Sequence, residues 1–304
     1  MRESGEKTLE EFFLALSNIS KCEKLSTLNL NFGATSAGVM LSKFKNLQSL
    51  ILYISGNSIG DRGLSNLCLN LDWSNLTSIK FSLTQNQIAS QGASKISAII
   101  KKSANLEKLD LDLWQNDPLK LLTSCNLIFC FNYLKSNNKI GDFGASHINS
   151  ALASCTNLTK LYFSLGQNKI TDKGISYISN GLSKMTKISE LSLDLSYLCY
   201  NKDQIINKIG QQGVSALGSC LSSFQNLQIL SLIIGGFKTI NEKDLINLAQ
   251  SIEQSQNLQT LALVFNKIIT TDEGMQRLAN SIKKCSNLAN LTISLEQCCS
   301  LSMC

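Results

Sequence analysis

Four carboxylates (Asp110, Asp112, Glu190 and Asp194) and three lysines (Lys80, Lys108 and Lys160) stand at alternate positions of short segments in which every other residue is apolar. In an extended strand such residues share one face, so this pattern gathers charge of both signs on a single surface. A surface of that kind suits recognition by complementary charge. A reacting centre needs other partners. The chain has one histidine, His147, in a helix-period segment between Gly144 and Ile148, so neither an H-E-x-x-H nor a Cys₂His₂ metal site can be assembled. The 11 cysteines contain no C-x-x-C, and no G-x-x-x-x-G-K-[ST], G-x-G-x-x-G or H-R-D string occurs. The reading therefore assigns no catalytic residue, no metal ligand and no cofactor, and points to a binding surface.

What positions those residues is an internal repeat. The string Asn-Leu-x-x-Leu-x-Leu-x-Leu reads Asn75 to Leu83, Asn105 to Leu113 and Asn157 to Leu165, with looser copies from Leu25, Leu47, Ile188, Leu227, Leu258 and Leu288. The nine anchors are separated by 22, 29, 30, 52, 30, 39, 31 and 30 residues, so the two long intervals read as ordinary repeats carrying insertions. Fixed-period self-similarity marks a solenoid, whose units bury their apolar sides only by stacking on one another. In the unit from Leu76, the residues Ile79, Phe81 and Leu83 alternate as a half-buried strand, and Ile96 and Ile100 lie four apart on one helical face. Strand, turn and helix repeat in the same sense, so the strands must be parallel. The asparagines Asn57, Asn86, Asn168 and one of Asn116 or Asn138 fall where the chain leaves each strand and can satisfy turn backbone. Gly63, Gly92, Gly144, Gly174, Gly213 and Gly274 share one later position, where the reading expects close packing of helix on strand.

This pattern resembles the ribonuclease-inhibitor-like class of leucine-rich repeats, L-x-x-L-x-L-x-x-N-x-L followed by G-x-x-x-L-x-x-x-L, over roughly Leu25 to Leu295. In its extra leucine and its Asn-x-Ile-Gly it is similar to ciliate-type leucine-rich-repeat proteins. One departure is that the asparagine stands two residues late, except at Asn266. The resemblance implies an α/β horseshoe of about nine repeats, with a parallel concave sheet and convex helices. It also implies a non-enzymatic scaffold that binds a protein or peptide on the concave face. Two alternatives come with it: a GTPase activator of the Ran GTPase-activator type, whose acidic carboxyl-terminal tail is missing here, and the recognition segment of a larger receptor or kinase.

The formal charge of +6 does not make a nucleic-acid site, because only Arg2, Arg62 and Arg277 are arginines and the pairs Lys101-Lys102 and Lys283-Lys284 keep phase with the repeat at helix ends. With no apolar leader and no 18-residue apolar run, no membrane partner is expected and the cytoplasm is the expected address. Cys22, Cys155 and Cys285 are repeat positions that read as buried small hydrophobes, whereas Cys298, Cys299 and Cys304 are off-register. Asn75-Leu76-Thr77, Asn157-Leu158-Thr159 and Asn290-Leu291-Thr292 match the glycosylation sequon but are the strand-start motif itself.

Residues 1–24 are expected to form an amino-terminal capping helix, through Thr8 and Glu11 as a capping box and the stripe Leu9, Phe12, Phe13, Leu16 and Ile19. Residues 25–304 are then the repeat domain, with insertions at about 117–137 and 196–206, the first expected to loop out of the stack. After the last strand no helix follows, which leaves a strand edge that invites pairing and suggests a piece of something longer; otherwise the chain reads as a monomer. The partner-binding candidates on the outward face are Tyr53, Lys80, Lys108, Asp110, Asp112, Trp114, Lys160, Tyr162, Glu190, Asp194, Ile229 and Ile233. The four carboxylates give that face an acidic centre and the isoleucines an apolar end, with Tyr53, Tyr162 and Trp114 as aromatic anchors.

Overall fold

The computed structural model describes residues 24–31, 44–68, 72–113, 138–196, 207–235, 242–266 and 272–296. The expected capping helix except Lys24, the insertions except Ser196, the candidate Trp114 and the three carboxyl-terminal cysteines lie outside the described residues.

Strict alternation of apolar side chains produces nine strands: β1 (Thr27–Asn31), β2 (Ser49–Tyr53), β3 (Ser78–Ser82), β4 (Lys108–Asp112), β5 (Lys160–Ser164), β6 (Glu190–Asp194), β7 (Ile229–Gly235), β8 (Thr260–Asn266) and β9 (Asn290–Glu296). They form one sheet in sequence order, every pair parallel. Between them, among the described residues, run α1 (Gly60–Cys68), α2 (Ser90–Lys102), α3 (Gly141–Leu152), α4 (Asp172–Leu182), α5 (Gln211–Leu221), α6 (Glu242–Glu253) and α7 (Asp272–Lys283). Each helix packs on the next, so the molecule is a sheet layer and a helix layer around one continuous core. Register joins equivalent residues of successive repeats across both insertions, as Leu111 to Phe163 and Leu193 to Leu232. Leu111 and Phe163 are buried, as the repeat requires.

The strand-exit asparagines form a buried spine. Oδ1 of Asn138 accepts the backbone N–H of Asn86 at 3.1 Å and of Ile88 at 2.8 Å, one repeat earlier, while its Nδ2 donates to the carbonyls of Leu83 and Leu113. Asn86, Asn168 and Asn207 repeat the arrangement and all four are buried. Asn138, not Asn116, therefore holds the repeat position after β4. At Asn86 and Asn168 the residues on either side take left-handed backbone, with φ 55° and 59° at both Gln85/Gln87 and Gln167/Lys169. β1 to β6 run for five residues each, whereas β7, β8 and β9 run for seven.

Three of the repeated glycines, Gly92, Gly174 and Gly213, serve a different contact from the one the sequence suggests. A Cβ on Gly92 would lie 2.5 Å from Oδ1 of Asp61 in α1 and 2.6 Å from Cγ2 of Ile88, not against a strand. The glycine makes room for an aspartate from the preceding helix, because Asp61, Asp142 and Asp172 each accept a backbone N–H from the residue that begins the next helix, at Ala89, Thr171 and Gly210. Ala89 and Gly210 have no side-chain cap of their own, so the preceding repeat supplies it.

Candidate outward-face binding surface

In each strand the residues between the buried ones point away from the helices, and the parallel register stacks them into three rows. The first row contains Ser78, Lys108, Lys160, Glu190 and Ile229; the second, Lys80, Asp110, Tyr162 and Ser192; the third, Tyr53, Ser82, Asp112, Ser164, Asp194 and Ile233. All the described candidates thus lie on one face.

Register also decides which charges meet. Lys80 and Asp110 occupy the same row on adjacent strands and pair at 2.5 Å. Lys160 and Glu190 do likewise, and the hydroxyl of Tyr162 donates to the other Glu190 oxygen at 2.5 Å. The ammonium groups of Lys80 and Lys108 sit over the rings of Tyr53 and Tyr162, at 5.9 and 5.6 Å from the centroids. The Asp110 carboxylate raises the Lys80 pKa, against a smaller opposing effect of burial. Lys160 and then Tyr162 hold the Glu190 carboxyl below its usual range, and the bond to Glu190 pushes Tyr162 up to about 12. The expected acidic centre is therefore two neutralised carboxylates together with Asp112 and Asp194. These half-exposed pairs contribute about 0–1 kcal/mol each to stability; their effect is to fix side-chain positions. Asp194 also accepts the N–H of Ser196 at 2.9 Å. Beyond β6 the surface turns apolar, through Ile229, Ile233, Ala262 and Val264, with Ile229 37 % exposed.

A second surface was missed by reading the strand starts as structural alone. Nδ2 of Asn75, Asn105, Asn157, Asn226, Asn257 and Asn287 each donates to a backbone carbonyl of the preceding repeat, and Lys187, in the asparagine position, donates to Oδ1 of Asn157 at 2.8 Å. The Asn75, Asn105, Asn157 and Lys187 part of this ladder lines an open trough of about 770 Å³ beside the first row, with Gln48, Thr77, Glu107 and Thr159. Its signal is the asparagine that opens seven of the nine copies of the repeat, with Lys24 and Lys187 in the other two.

Two strings with enzyme-like spelling are repeat positions. Gly56-Asn57-Ser58-Ile59-Gly60 has the spacing of a hydrolase nucleophile elbow, and Ser58 has φ 51°. The same left-handed turn position is filled by Gln87 and Lys169, and the His147 ring packs on Phe143 at 4.8 Å, on the helix layer. Asp142-Phe143-Gly144, spelled like the kinase metal motif, forms the first turn of α3, where Asp142 accepts both the N–H and the hydroxyl of Thr171. No group of three or more metal-ligating side chains and no helix long and apolar enough to cross a membrane occurs among the described residues.

A family model described as Leucine Rich repeat matches residues 46–68, 154–179 and 254–279, each segment running from a strand start into a helix. No curated protein matches the chain. Among solved structures, actin-binding site 2 of leiomodin-1 is similar, at 16 % identity and a TM-score of 0.34 over 46 % of this chain and 70 % of that one. The parallel register and the asparagine spine give this chain the fold of a leucine-rich-repeat solenoid, and the matched segments are leucine-rich repeats.

Proposed function

We propose that the chain is a non-enzymatic, cytoplasmic interaction scaffold of the ribonuclease-inhibitor-like repeat class, whose concave sheet face takes a protein or peptide partner. The observation that carries this reading is the unbroken alignment of three outward rows across nine strands. Three positions on each strand match the roughly 20–30 residues a side that a standard interface uses. Full helices between strands support the subtype, and buried unpaired thiols at Cys155, Cys220 and Cys285 support a reducing compartment. The partner's chemistry follows from the face: an apolar patch over Ile229 and Ile233, and charged groups complementary to the pre-paired centre.

The test is to capture a partner from the native cytosol and compare its affinity for the wild type, for Ile229→Ser/Ile233→Ser, and for Phe143→Ser on the helix side. The double variant should weaken binding about tenfold or more and the helix-side variant should not; the reverse result rejects the concave face. Replacing Asp110, Asp112, Glu190 and Asp194 with Ser should slow association with a basic partner and flatten its salt dependence. Acceleration of GTP hydrolysis on any small GTPase would replace the scaffold reading with the activator one.

A further inference from the structure

The trough at the strand starts is one-sided in its hydrogen-bonding groups. Most of its donors are engaged inside the protein. Nδ2 of Asn75, Asn105 and Asn157 donates to the carbonyls of Lys45, Ser74 and Ala104, and the hydroxyls of Thr77 and Thr159 donate to those of Gln48 and Glu107. Because a carbonyl accepts only from the NH₂ end of an amide, these bonds fix the amide orientations and leave Oδ1 of Asn75 and Asn105 without a donor among the described residues. The Glu107 carboxylate adds a third acceptor, exposed and in no ion pair among the described residues, whereas Asp110 and Glu190 each hold a lysine. Its backbone is held on both sides, the N–H donating to Thr77 at 2.8 Å and the C=O accepting the N–H of Thr159 at 2.9 Å, so the carboxylate stands on a fixed base.

We propose that this trough binds a cationic side chain, the ammonium or guanidinium group of a lysine or arginine in a peptide partner, with Asn75, Asn105 and Glu107 as its acceptors. The repeat itself supplies the precedent. Where the asparagine row ends, at β6, Lys187 stands in the row and its ammonium donates to Oδ1 of Asn157, one strand back, at 2.8 Å. Asn105 and Asn75 hold the position of Asn157 in the two preceding repeats, about 4.8 Å apart per strand, but the residue that follows each of them in the row is another asparagine. An outside cation at Asn105 therefore takes the place that Lys187 takes at Asn157. Glu107 supplies an opposite charge there, and a charge-assisted bond is about twice as strong as a neutral one.

An anion fits this site less well. The lining cation, Lys187, is already engaged by Asn157, and an incoming carboxylate would meet Glu107 and two amide oxygens. The volume of about 770 Å³ falls within the roughly 300–1,000 Å³ of ordinary ligand sites, so a short peptide segment can enter with its cationic group. This inference goes beyond the concave-face reading, because the trough lies at the strand starts beside the outward rows and holds its ligand through a separate set of residues.

The test is a nuclear magnetic resonance titration of the full 304-residue chain with acetylated, amidated tri-arginine and tri-lysine, followed through the side-chain amides of Asn75 and Asn105. Tri-glutamate and tri-glycine are the matched probes. Both cationic peptides should shift those signals, less so as salt is added, and the other two should not. Glu107→Gln keeps the shape of an exposed side chain and should weaken the cationic peptides about fivefold. Lys187→Met frees Oδ1 of Asn157 and removes a like charge, so it should tighten them about threefold, which a merely structural lysine would not do. Equal affinity of Glu107→Gln and wild type overturns the proposal, as does weaker binding by Lys187→Met or a larger shift with tri-glutamate. Binding that Asp112→Asn/Asp194→Asn abolishes while Glu107→Gln leaves it intact overturns it too, by moving the cation to the outward rows.

Discussion

Oδ1 of Asp172 stands 2.6 Å from the amide nitrogen of Gly210 and 2.9 Å from that of Gly213, so a carboxylate in the first turn of α4 caps α5, one repeat away. Gly213 allows the approach, because a Cβ there would lie 2.7 Å from that oxygen and 2.6 Å from Cγ2 of Ile209. Gly213→Ala should therefore destabilise by about 1–3 kcal/mol through overpacking, which exceeds the roughly 0.5–1 kcal/mol alanine gains inside a helix. Asp172→Ala should cost about 1–2 kcal/mol through the lost cap. Alanine at 213 displaces the same carboxylate, so urea melts of the double variant should show less than the sum; strict additivity would mean the two residues are not coupled.

The two asparagine ladders should differ in stability. Asn168 is buried, and its Nδ2 donates to the carbonyls of Leu113, Leu165 and Gly166. Asn168→Leu strands those buried groups at about 1–3 kcal/mol each, so unfolding should shift by several kcal/mol. Asn157, with a single such bond at 3.3 Å, lies at the surface, and Asn157→Ala should stay within about 0.5 kcal/mol. Denaturation midpoints of the two variants that coincide would refute the distinction.

Tyr162 should be the slow tyrosine to ionise. Its pKa is raised to about 12, first by donating to Glu190 and then by burial, whereas an ordinary tyrosine titrates near 10. The folded value lies above the unfolded one, so its stabilising contribution is complete below about pH 10 and lost as pH rises through 12. The Glu190 shift has the opposite sign: its contribution is present above the usual carboxylate range and lost as pH falls through the lowered folded value. In an ultraviolet titration, the wild type minus Tyr162→Phe difference should rise only near pH 12; a step near 10 would break the Tyr162–Glu190 bond as described.

Three thiols should be silent until the chain unfolds. Burial pushes Cys155 up to about 11 and Cys220 up to about 12, and it also raises Cys285, so none offers a thiolate at neutral pH. Mass spectrometry after brief treatment with a thiol-disulfide reagent should find these three unmodified in the native protein and modified in denaturant. Labelling of Cys220 under native conditions would place it outside the core.

Period-2 alternation at Ile79, Phe81 and Leu83 is a strong signal because a one-residue slip would turn the whole strand inside out, and for that reason the strands and their outward rows were legible in the sequence. The ion pairs were nearly so: Lys160 and Glu190 share a repeat position, as do Lys80 and Asp110, yet the carboxylates read as one acidic patch until register joined each to its lysine. The capping role of Asp61, Asp142 and Asp172 was not legible, because a helix cap is ordinarily sought next to its own helix and these act from 28 to 41 residues away. The glycines showed that something came close, without showing that it was an aspartate. Ser58 and Asp142 carry the opposite lesson, since a turn that needs left-handed backbone and a helix start that needs a carboxylate reproduce the spelling of two enzyme motifs.

Each asparagine of the spine serves two repeats, holding the turn behind it with its carbonyl oxygen and the strands beside it with its amide. A tandem duplication that begins and ends at any matching pair of positions hands every copied turn an asparagine of the correct phase, because the bond depends on place within the unit and not on which unit it is. Gain or loss of whole units by unequal recombination thus leaves the junction chemistry intact, while a deletion of fractional length strands buried amides at its scar. The molecule is lengthened or shortened in quanta, and selection can adjust the reach of its face by counting units without redesigning any of them.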